Sequence, residues 1–194
     1  MTVKRISRLW SPYLMVTTYI IIALLAIPGT IQNQTIRIQS MSFDKFQFRD
    51  FVKRTLQAVG LYSEEAVDLL LKTAAKESNF GTYLKQLGKG PALGVFQIEP
   101  GTEKNIWNEL LKDNPKFAKK ITELTGVTGP NLSALEGDLR YQTCVARLRY
   151  YWAKGALPKV GDIQAQADYW KKHYNTVLGA GTVEEFIAAA KKYT

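Results

Sequence analysis

The feature that most limits how this chain can fold is an uncharged, strongly apolar segment near its start. No residue between Leu9 and Ile36 carries a charge, and residues 13–27 (YLMVTTYIIIALLAI) are almost all large and apolar. A helix that spans a bilayer needs ~20 such residues, and the uncharged flanks supply the rest of that length. Because cations within residues 1–8 precede the segment, the sequence predicts one N-terminal transmembrane anchor, residues 1–28.

A cleaved signal peptide has the same basic start and short apolar core, so it is the alternative to an uncleaved signal-anchor. The cleavage site is poor, and Trp10 and Tyr13 suit a membrane interface, which favours the anchor. The positive-inside rule then places everything after the anchor outside the cytoplasm. Residues 29–43 are polar and predict a linker, and residues 44–194 predict one folded domain.

The domain has mainly helical patterns. Apolar residues recur at helical spacing from Phe48 to Val59, with Gly60 as the C-cap, and Ser63 is the N-cap expected for a second helix. Further helices are predicted at 102–112, 115–125, 132–153, 162–174 and 182–193. The glycines and prolines between Gly81 and Pro100 predict a loop, or a small hairpin. The expected fold is therefore mainly α, or a strongly helical α+β domain with a Gly-rich excursion.

Charge and composition exclude several classes of function. The net charge is +9, but residues 1–40 hold four cations and no acid, so the domain is only moderately basic. No zinc-finger spacing, RNP-like strand pair or long basic helix is present, so nucleic acid is not an expected partner. His173 is the one histidine and has no companion ligands at metal-site spacing, so neither a metal site nor a Ser/His/Asp triad is expected. Cys144, the one cysteine, is expected in the core.

The second predicted helix ends in AAKESNFG, residues 74–81, and carries the first candidate for catalysis. In steps of about 100° per residue, Glu77 falls at the edge of the apolar stripe of this helix. A carboxyl group in such a position is partly desolvated, which raises its pKa. Glu77 is therefore a candidate general acid, although a surface carboxylate near a helix end has the same sequence pattern.

A second pattern follows in GVFQIEP, residues 94–100. Gly94 allows close approach of backbone to a ligand, and the amide of Gln97 both donates and accepts hydrogen bonds. Phe96 and Ile98 are expected to anchor this loop in the core. Together with Glu77, the loop predicts a polar site beside the end of the second helix.

With these residues the chain resembles the soluble lytic transglycosylase and goose-type lysozyme family. Glu77-Ser78 matches the family's Glu-Ser at a helix end, Gly94 to Gln97 matches its Gly-x-x-Gln loop, and residues 167–169 match its late Ala-x-Tyr segment. The longer stretches 85–107 and 167–187 are similar to a phage-associated branch of that family.

The resemblance implies a lysozyme-like fold and a chain that cleaves the bond between N-acetylmuramic acid and N-acetylglucosamine in peptidoglycan. Glu77 would protonate the glycosidic oxygen and then help to close a 1,6-anhydro ring, with no cofactor. Ser78, Gln97 and Tyr169 would bind substrate. Because Trp170 departs from the family's Asn-Ala-Gly continuation, Tyr174 is a second candidate for the tyrosine that meets Glu77.

A true lysozyme is the alternative within the family, and it would normally need a second carboxylate. Glu99 is the nearest by motif, although an acid at a helix start also stabilises the helix dipole. Glu103 and Asp168 are further candidates.

A different class of function is a catalytically inactive virion or peptidoglycan-binding component, which would be free to lose Glu77. The expected partners are peptidoglycan glycan strands, the membrane through the N-terminal helix, and virion or envelope-complex proteins. The expected location is therefore membrane-anchored, with the domain in the periplasm or associated with a virion.

Overall fold

The computed structural model describes residues 42–176 and 179–193, which belong to one compact unit. The predicted anchor, residues 1–28, and most of the predicted linker lie outside the described residues. Within the described ranges, no helix has both the length and the apolar character that crossing a membrane requires.

Eight α-helices make up most of the described chain. They are α1 (Lys45–Val59), α2 (Glu64–Ser78), α3 (Pro100–Asn105), α4 (Pro115–Thr125), α5 (Leu132–Gly137), α6 (Leu139–Trp152), α7 (Ile163–Trp170) and α8 (Val183–Tyr193). A π-helical segment, Ile106–Leu111, continues α3, and a π-helical turn, Lys171–Asn175, continues α7. A short 3-10 turn covers Leu87–Lys89.

The prediction of a mainly helical domain is confirmed. In the Gly-rich excursion, two isolated antiparallel bridges join Leu93 to Lys85 and to Ile98, and no strand forms within the described ranges. The sequence predicts either a loop or a small hairpin in this segment, and the structure has a loop with these two bridges.

The ends of the first two helices follow from local chemistry. Gly60 adopts a left-handed conformation (φ 76°) and its N–H bonds to carbonyls of the last turn of α1. The Ser63 hydroxyl accepts a hydrogen bond from the N–H of Ala66 at 3.1 Å, so the predicted N-cap of α2 is confirmed. Glu64 and Glu65 lie in the first turn, where acids stabilise the helix dipole.

Helix α2 is the centre of the domain. It packs against α1, α6 and α8, and it is buried on almost every side. A helix that is surrounded by other helices needs small or apolar side chains around most of its circumference. Val67, Leu70 and Ala74 are examples, and all three are buried. Consequently the last turn of α2, which carries Glu77, is held by neighbours from distant parts of the chain.

The prediction of one helix over 132–153 is wrong, because the chain breaks at Asp138. This residue is extended (φ −96°, ψ 104°), and its carboxylate accepts hydrogen bonds from the N–H groups of Arg140 and Tyr141. An aspartate that caps a new helix ends the one before it, so α5 and α6 meet at this residue. The helix predicted over 162–174 likewise begins as α-helix but finishes as the π-helical turn.

A buried polar cluster joins α2 to α7. The Lys72 ammonium donates to the Asp68 carboxylate at 2.6 Å and to the Gln166 side-chain oxygen at 2.7 Å. The same carboxylate accepts from the Gln166 amide and from the N–H of Gly161. Burial alone would raise the pKa of Asp68, but these hydrogen bonds outweigh it and hold the pKa below its usual value. The cluster therefore holds the start of α7 against α2.

Cys144, on α6, lies in the hydrophobic core of the domain, as expected from the sequence. Burial raises the pKa of its thiol to about 12, which keeps the thiol protonated and unreactive.

Candidate active site

Glu77 lies in the last turn of α2, partly buried, at the edge of the core. The indole N–H of Trp170, the last residue of α7, donates a hydrogen bond to Oε1 of Glu77 at 2.8 Å. Burial raises the pKa of the Glu77 carboxyl to about 7, and the Trp170 hydrogen bond and the Lys76 charge only partly oppose this rise. Glu77 can therefore both hold and release a proton near neutral pH, as a general acid and base must.

A groove of about 520 Å³ opens beside Glu77, a volume in the range of small-ligand sites. Five separate parts of the chain contribute to it: the end of α2, the Gly-rich excursion, α3, the end of α6, and the described residues between Trp170 and Gly181. Its functional groups include Glu77, Gln97, Glu99, Arg149, Trp170 and Tyr174. The structure thus brings together Glu77, Gln97 and one of the two candidate tyrosines.

The Gly94–Gln97 loop is a tight, closed turn that faces this groove. The backbones of Leu93 and Ile98 exchange hydrogen bonds of 3.0 and 2.9 Å, which close the loop at its base. Phe96 and Ile98 are buried and anchor the loop, as predicted. Gln97 has a left-handed backbone (φ 46°), and its side-chain amide donates to the Gly94 carbonyl at 2.8 Å. This conformation is uncommon outside glycine and holds the Gln97 side chain at the groove.

Gly94 packs tightly against two neighbouring helices. A Cβ at this position would lie 2.5 Å from the side-chain carbon of Gln142 and 2.5 Å from the carbonyl oxygen of Leu135. The missing side chain therefore allows close packing of the loop on α5 and α6. The Gln142 side chain also accepts a hydrogen bond from the N–H of Val95 at 2.7 Å.

Of the two candidate tyrosines, Tyr174 lines the groove. Its hydroxyl donates to the carbonyl of Phe96 at 2.8 Å, which ties the π-helical turn to the Gly94–Gln97 loop. The Tyr169 side chain instead packs against Tyr150 and His173, with ring centroids at 5.7 and 4.5 Å. Its hydroxyl is buried and has no hydrogen-bond partner in the described part of the chain.

Ser78 is not among the described residues that line the groove. It is fully buried, and its hydroxyl donates to the Ala74 carbonyl at 3.1 Å and accepts from the N–H of Gly81 at 2.8 Å. Ser78 therefore caps the end of α2. Although it follows Glu77 in the sequence, its side chain points into the core and not into the groove.

The three candidates for a second acid lie in different surroundings. Glu99 is exposed at the start of α3 and lines the groove. Glu103 is buried, and its Oε1 accepts hydrogen bonds from the Tyr141 hydroxyl at 2.5 Å and from the N–H of Asn131 at 2.7 Å. Asp168 is exposed and contacts Gln164 on its own helix. Only Glu99 of these three shares the groove with Glu77.

The sequence interpretation missed Trp170 and Arg149 as site residues. Trp170 stood out only as a departure from the family pattern, yet it follows Ala167 by three residues and so shares the buried face of α7. Arg149 carries no motif at all, because only the packing of α6 brings it to the groove.

No group of three or more His, Cys, Asp or Glu residues in the described ranges is arranged to hold a metal ion. Comparisons with protein-family models, with curated proteins and with solved structures find no match to this chain.

Proposed function

We propose that this chain is a peptidoglycan lytic transglycosylase of the soluble lytic transglycosylase and goose-type lysozyme family. The observation that carries the proposal is the partly buried Glu77 carboxyl, with a pKa raised to about 7 and a groove beside it. A glycosidic oxygen is a poor leaving group unless it is protonated, and a carboxyl group that keeps its proton near neutral pH supplies that proton.

Trp170 determines which carboxyl oxygen takes part. An indole N–H only donates, so Oε1 of Glu77 accepts that hydrogen bond. The carbonyl oxygen of a neutral carboxyl group is its stronger acceptor, so Oε1 is the carbonyl oxygen and the proton lies on Oε2. From Oε2 it passes to the leaving oxygen of N-acetylglucosamine as the bond from that oxygen to muramoyl C1 breaks.

The second half of the reaction needs a base at the same place. The Glu77 carboxylate takes the proton of the muramoyl C6 hydroxyl, and the C6 oxygen bonds to C1 to give the 1,6-anhydro end. No water enters this sequence, so one carboxyl group is sufficient. Gln97 and Tyr174 would contact the sugar, because both line the groove with Glu77.

A true lysozyme is the second candidate, and the position of Glu99 favours it. Glu99 lines the same groove and is exposed, so it has access to water that it could direct at C1. In an inverting hydrolase the second carboxylate acts as a base on that water, whereas in a retaining hydrolase it forms a covalent intermediate.

A catalytically inactive virion or peptidoglycan-binding component is the third candidate. Such a protein would gain nothing from a carboxyl group with a raised pKa, since burial of this group opposes folding at neutral pH. We further propose a phage-encoded, membrane-anchored protein whose domain acts outside the cytoplasm and opens the wall locally. The uncharged apolar segment before the domain supports this location.

Mass spectrometry of muropeptides released by the full chain from purified peptidoglycan tests the proposal. A transglycosylase leaves 1,6-anhydro-muramoyl ends, whereas a hydrolase leaves reducing ends that incorporate one oxygen from labelled water. Absence of both products, together with retained binding to the wall, would reject both enzyme assignments and favour the binding component.

A further inference from the structure

The groove also contains an arginine that the proposed acid/base chemistry does not use. Arg149, in the last turn of α6, lines the same groove as Glu77. No ion pair among the described residues includes Arg149. Lys76, which also lines the groove, instead pairs with Glu185 at 2.9 Å. An arginine that faces a binding groove without an acidic partner has its charge available to a ligand.

Two tyrosines, Tyr150 and Tyr174, lie near both Arg149 and Glu77. The rings of Tyr150 and Tyr174 lie 5.0 Å apart, and the charges of Glu77 and Arg149 both act on them, in opposite directions. The Tyr150 hydroxyl shares a hydrogen bond of 2.7 Å with Thr73, and the Tyr174 hydroxyl donates to Phe96. Both tyrosine rings are thus held in place, and Arg149 shares the groove with Tyr174 and Glu77.

We propose that Arg149 forms a carboxylate-binding site in the groove, which accepts the acidic substituent of the muramoyl ring whose glycosidic bond Glu77 helps to break. The inference rests on the proposed function, because it takes a glycan as the ligand. A guanidinium group binds a carboxylate through two parallel hydrogen bonds, so it recognises an acidic sugar and gains nothing from a neutral one. The remaining groove acid, Glu99, would disfavour a carboxylate near itself, which directs the anion toward Arg149.

Two sources supply such a carboxylate in peptidoglycan. The lactyl group on muramoyl O3 ends in a free carboxylate when the stem peptide has been removed, and the stem peptide carries its own carboxylates when it is present. The site therefore selects the muramoyl position of the strand by charge, beyond any recognition of N-acetyl groups.

Binding measurements in the Glu77→Gln background test the site without requiring cleavage. The probes are a peptide-free muramoyl-containing oligosaccharide, its methyl ester, and the same oligosaccharide with stem peptides. We expect Glu77→Gln/Arg149→Gln to bind the free acid about 10- to 100-fold more weakly than Glu77→Gln, and to bind the ester equally well. Glu77→Gln/Arg140→Gln is the matched control, because Arg140 is an exposed arginine at the start of the same helix, outside the groove.

The pattern over the three probes separates the outcomes. A loss confined to the free acid assigns the lactyl carboxylate as the ligand, and a loss also on the peptide-bearing strand assigns a peptide carboxylate. An equal loss on the ester, or no loss on any probe, would overturn the carboxylate site. If the wild-type chain releases neither product yet this charge-dependent binding persists, the lytic activity is rejected while the carboxylate site stands.

Discussion

Trp170 and Glu77 are far apart in the sequence, yet the indole N–H of Trp170 donates to the Glu77 carboxyl at 2.8 Å. The Trp170 ring is fully buried and packs against Phe186 with centroids 5.2 Å apart, so its direction is determined by the core. The candidate acid is consequently oriented by a rigid donor from α7 rather than by its own helix. The geometry of the site therefore depends on how α7 packs against α2.

Replacement of Trp170 by phenylalanine tests this orientation. The variant keeps an aromatic ring against Phe186 but loses the N–H that stabilises the charged form of Glu77, so the pKa of Glu77 should rise above about 7. Carbon NMR of the Glu77 carboxyl as a function of pH would measure the change. A Glu77 pKa that stays the same or falls in the folded variant would show that the hydrogen bond does not act on this carboxyl.

The raised pKa of Glu77 also predicts how activity and stability depend on pH. The general acid must be protonated, so kcat/KM should fall as pH increases through about 7. Because the folded pKa exceeds the unfolded value, the folded state binds the proton more tightly, and this stabilisation is complete below about 4.5 and disappears as pH rises through about 7.

Comparison with Glu77→Gln isolates this contribution to stability. Between pH 4.5 and 7.5, the free energy of unfolding of the wild type should decrease relative to that of the variant by roughly 1–3 kcal/mol. Urea titrations at the two pH values would measure the difference. A constant difference between the two proteins would mean that the pKa of Glu77 is the same in the folded and unfolded states.

Most of the helices, and the position of Glu77 at the edge of the core, could be predicted from the sequence because they depend on local signals. Gly60 and Ser63 mark the ends of α1 and α2, and Glu77 lies at the edge of an apolar stripe. Such caps and periodicities act within one or two helical turns, so they can be recognised without knowing what packs against them.

The parts that could not be predicted depend on contacts between distant segments. Packing between helices turns the Ser78 side chain into the core and brings Arg149 to the groove. Packing also determines that Tyr174, and not Tyr169, lines the groove. The π-helical turn after α7 changes which residues face the groove, and no sequence pattern marks that change. The tight packing around Gly94 could not be predicted either, because its close neighbours Leu135 and Gln142 belong to α5 and α6, far along the chain.

The close packing of Gly94 predicts that Gly94→Ala destabilises the protein and disturbs the groove. The new methyl group would lie 2.5 Å from Gln142 and from the Leu135 carbonyl, on a backbone with φ 75°. We expect a loss of about 2–3 kcal/mol in unfolding free energy and a weaker affinity for glycan, because Gln97 is held by the same loop. Gly101→Ala is the control, because a Cβ added there would have no atom within 4 Å and the residue lies inside α3. This substitution should be neutral or should stabilise the protein by up to ~1 kcal/mol. Equal melting temperatures for the two variants would contradict the packing argument.

The buried cluster between α2 and α7 predicts that Lys72→Met is strongly destabilising. The Asp68 carboxylate would remain buried without its cation, and removing one partner of such a pair typically costs about 3–5 kcal/mol. Arg54→Met removes a cation from an exposed ion pair of the same i,i+4 spacing, with Asp50, and should change stability by less than ~1 kcal/mol. Chemical denaturation of both variants gives the comparison, and a small effect of Lys72→Met would mean that the cluster does not hold α7 against α2.

The last prediction separates the two enzyme mechanisms by paired substitutions in the groove. Glu77→Gln keeps the shape of the side chain and can still accept from Trp170, but it has no acidic proton, so wall cleavage should fall by ~10⁴-fold or more while folding and glycan binding persist. Glu99→Gln should reduce the rate only slightly if the same carboxyl serves both steps, since the 1,6-anhydro ring closes without water. If Glu99 instead directs a water molecule, its substitution should be nearly as severe as that of Glu77. Steady-state rates of dye release from labelled peptidoglycan, with Asp168→Asn as the exposed control outside the groove, would give the ranking. Activity close to wild type in purified, folded Glu77→Gln protein would reject Glu77 as the acid, whatever the effect at Glu99.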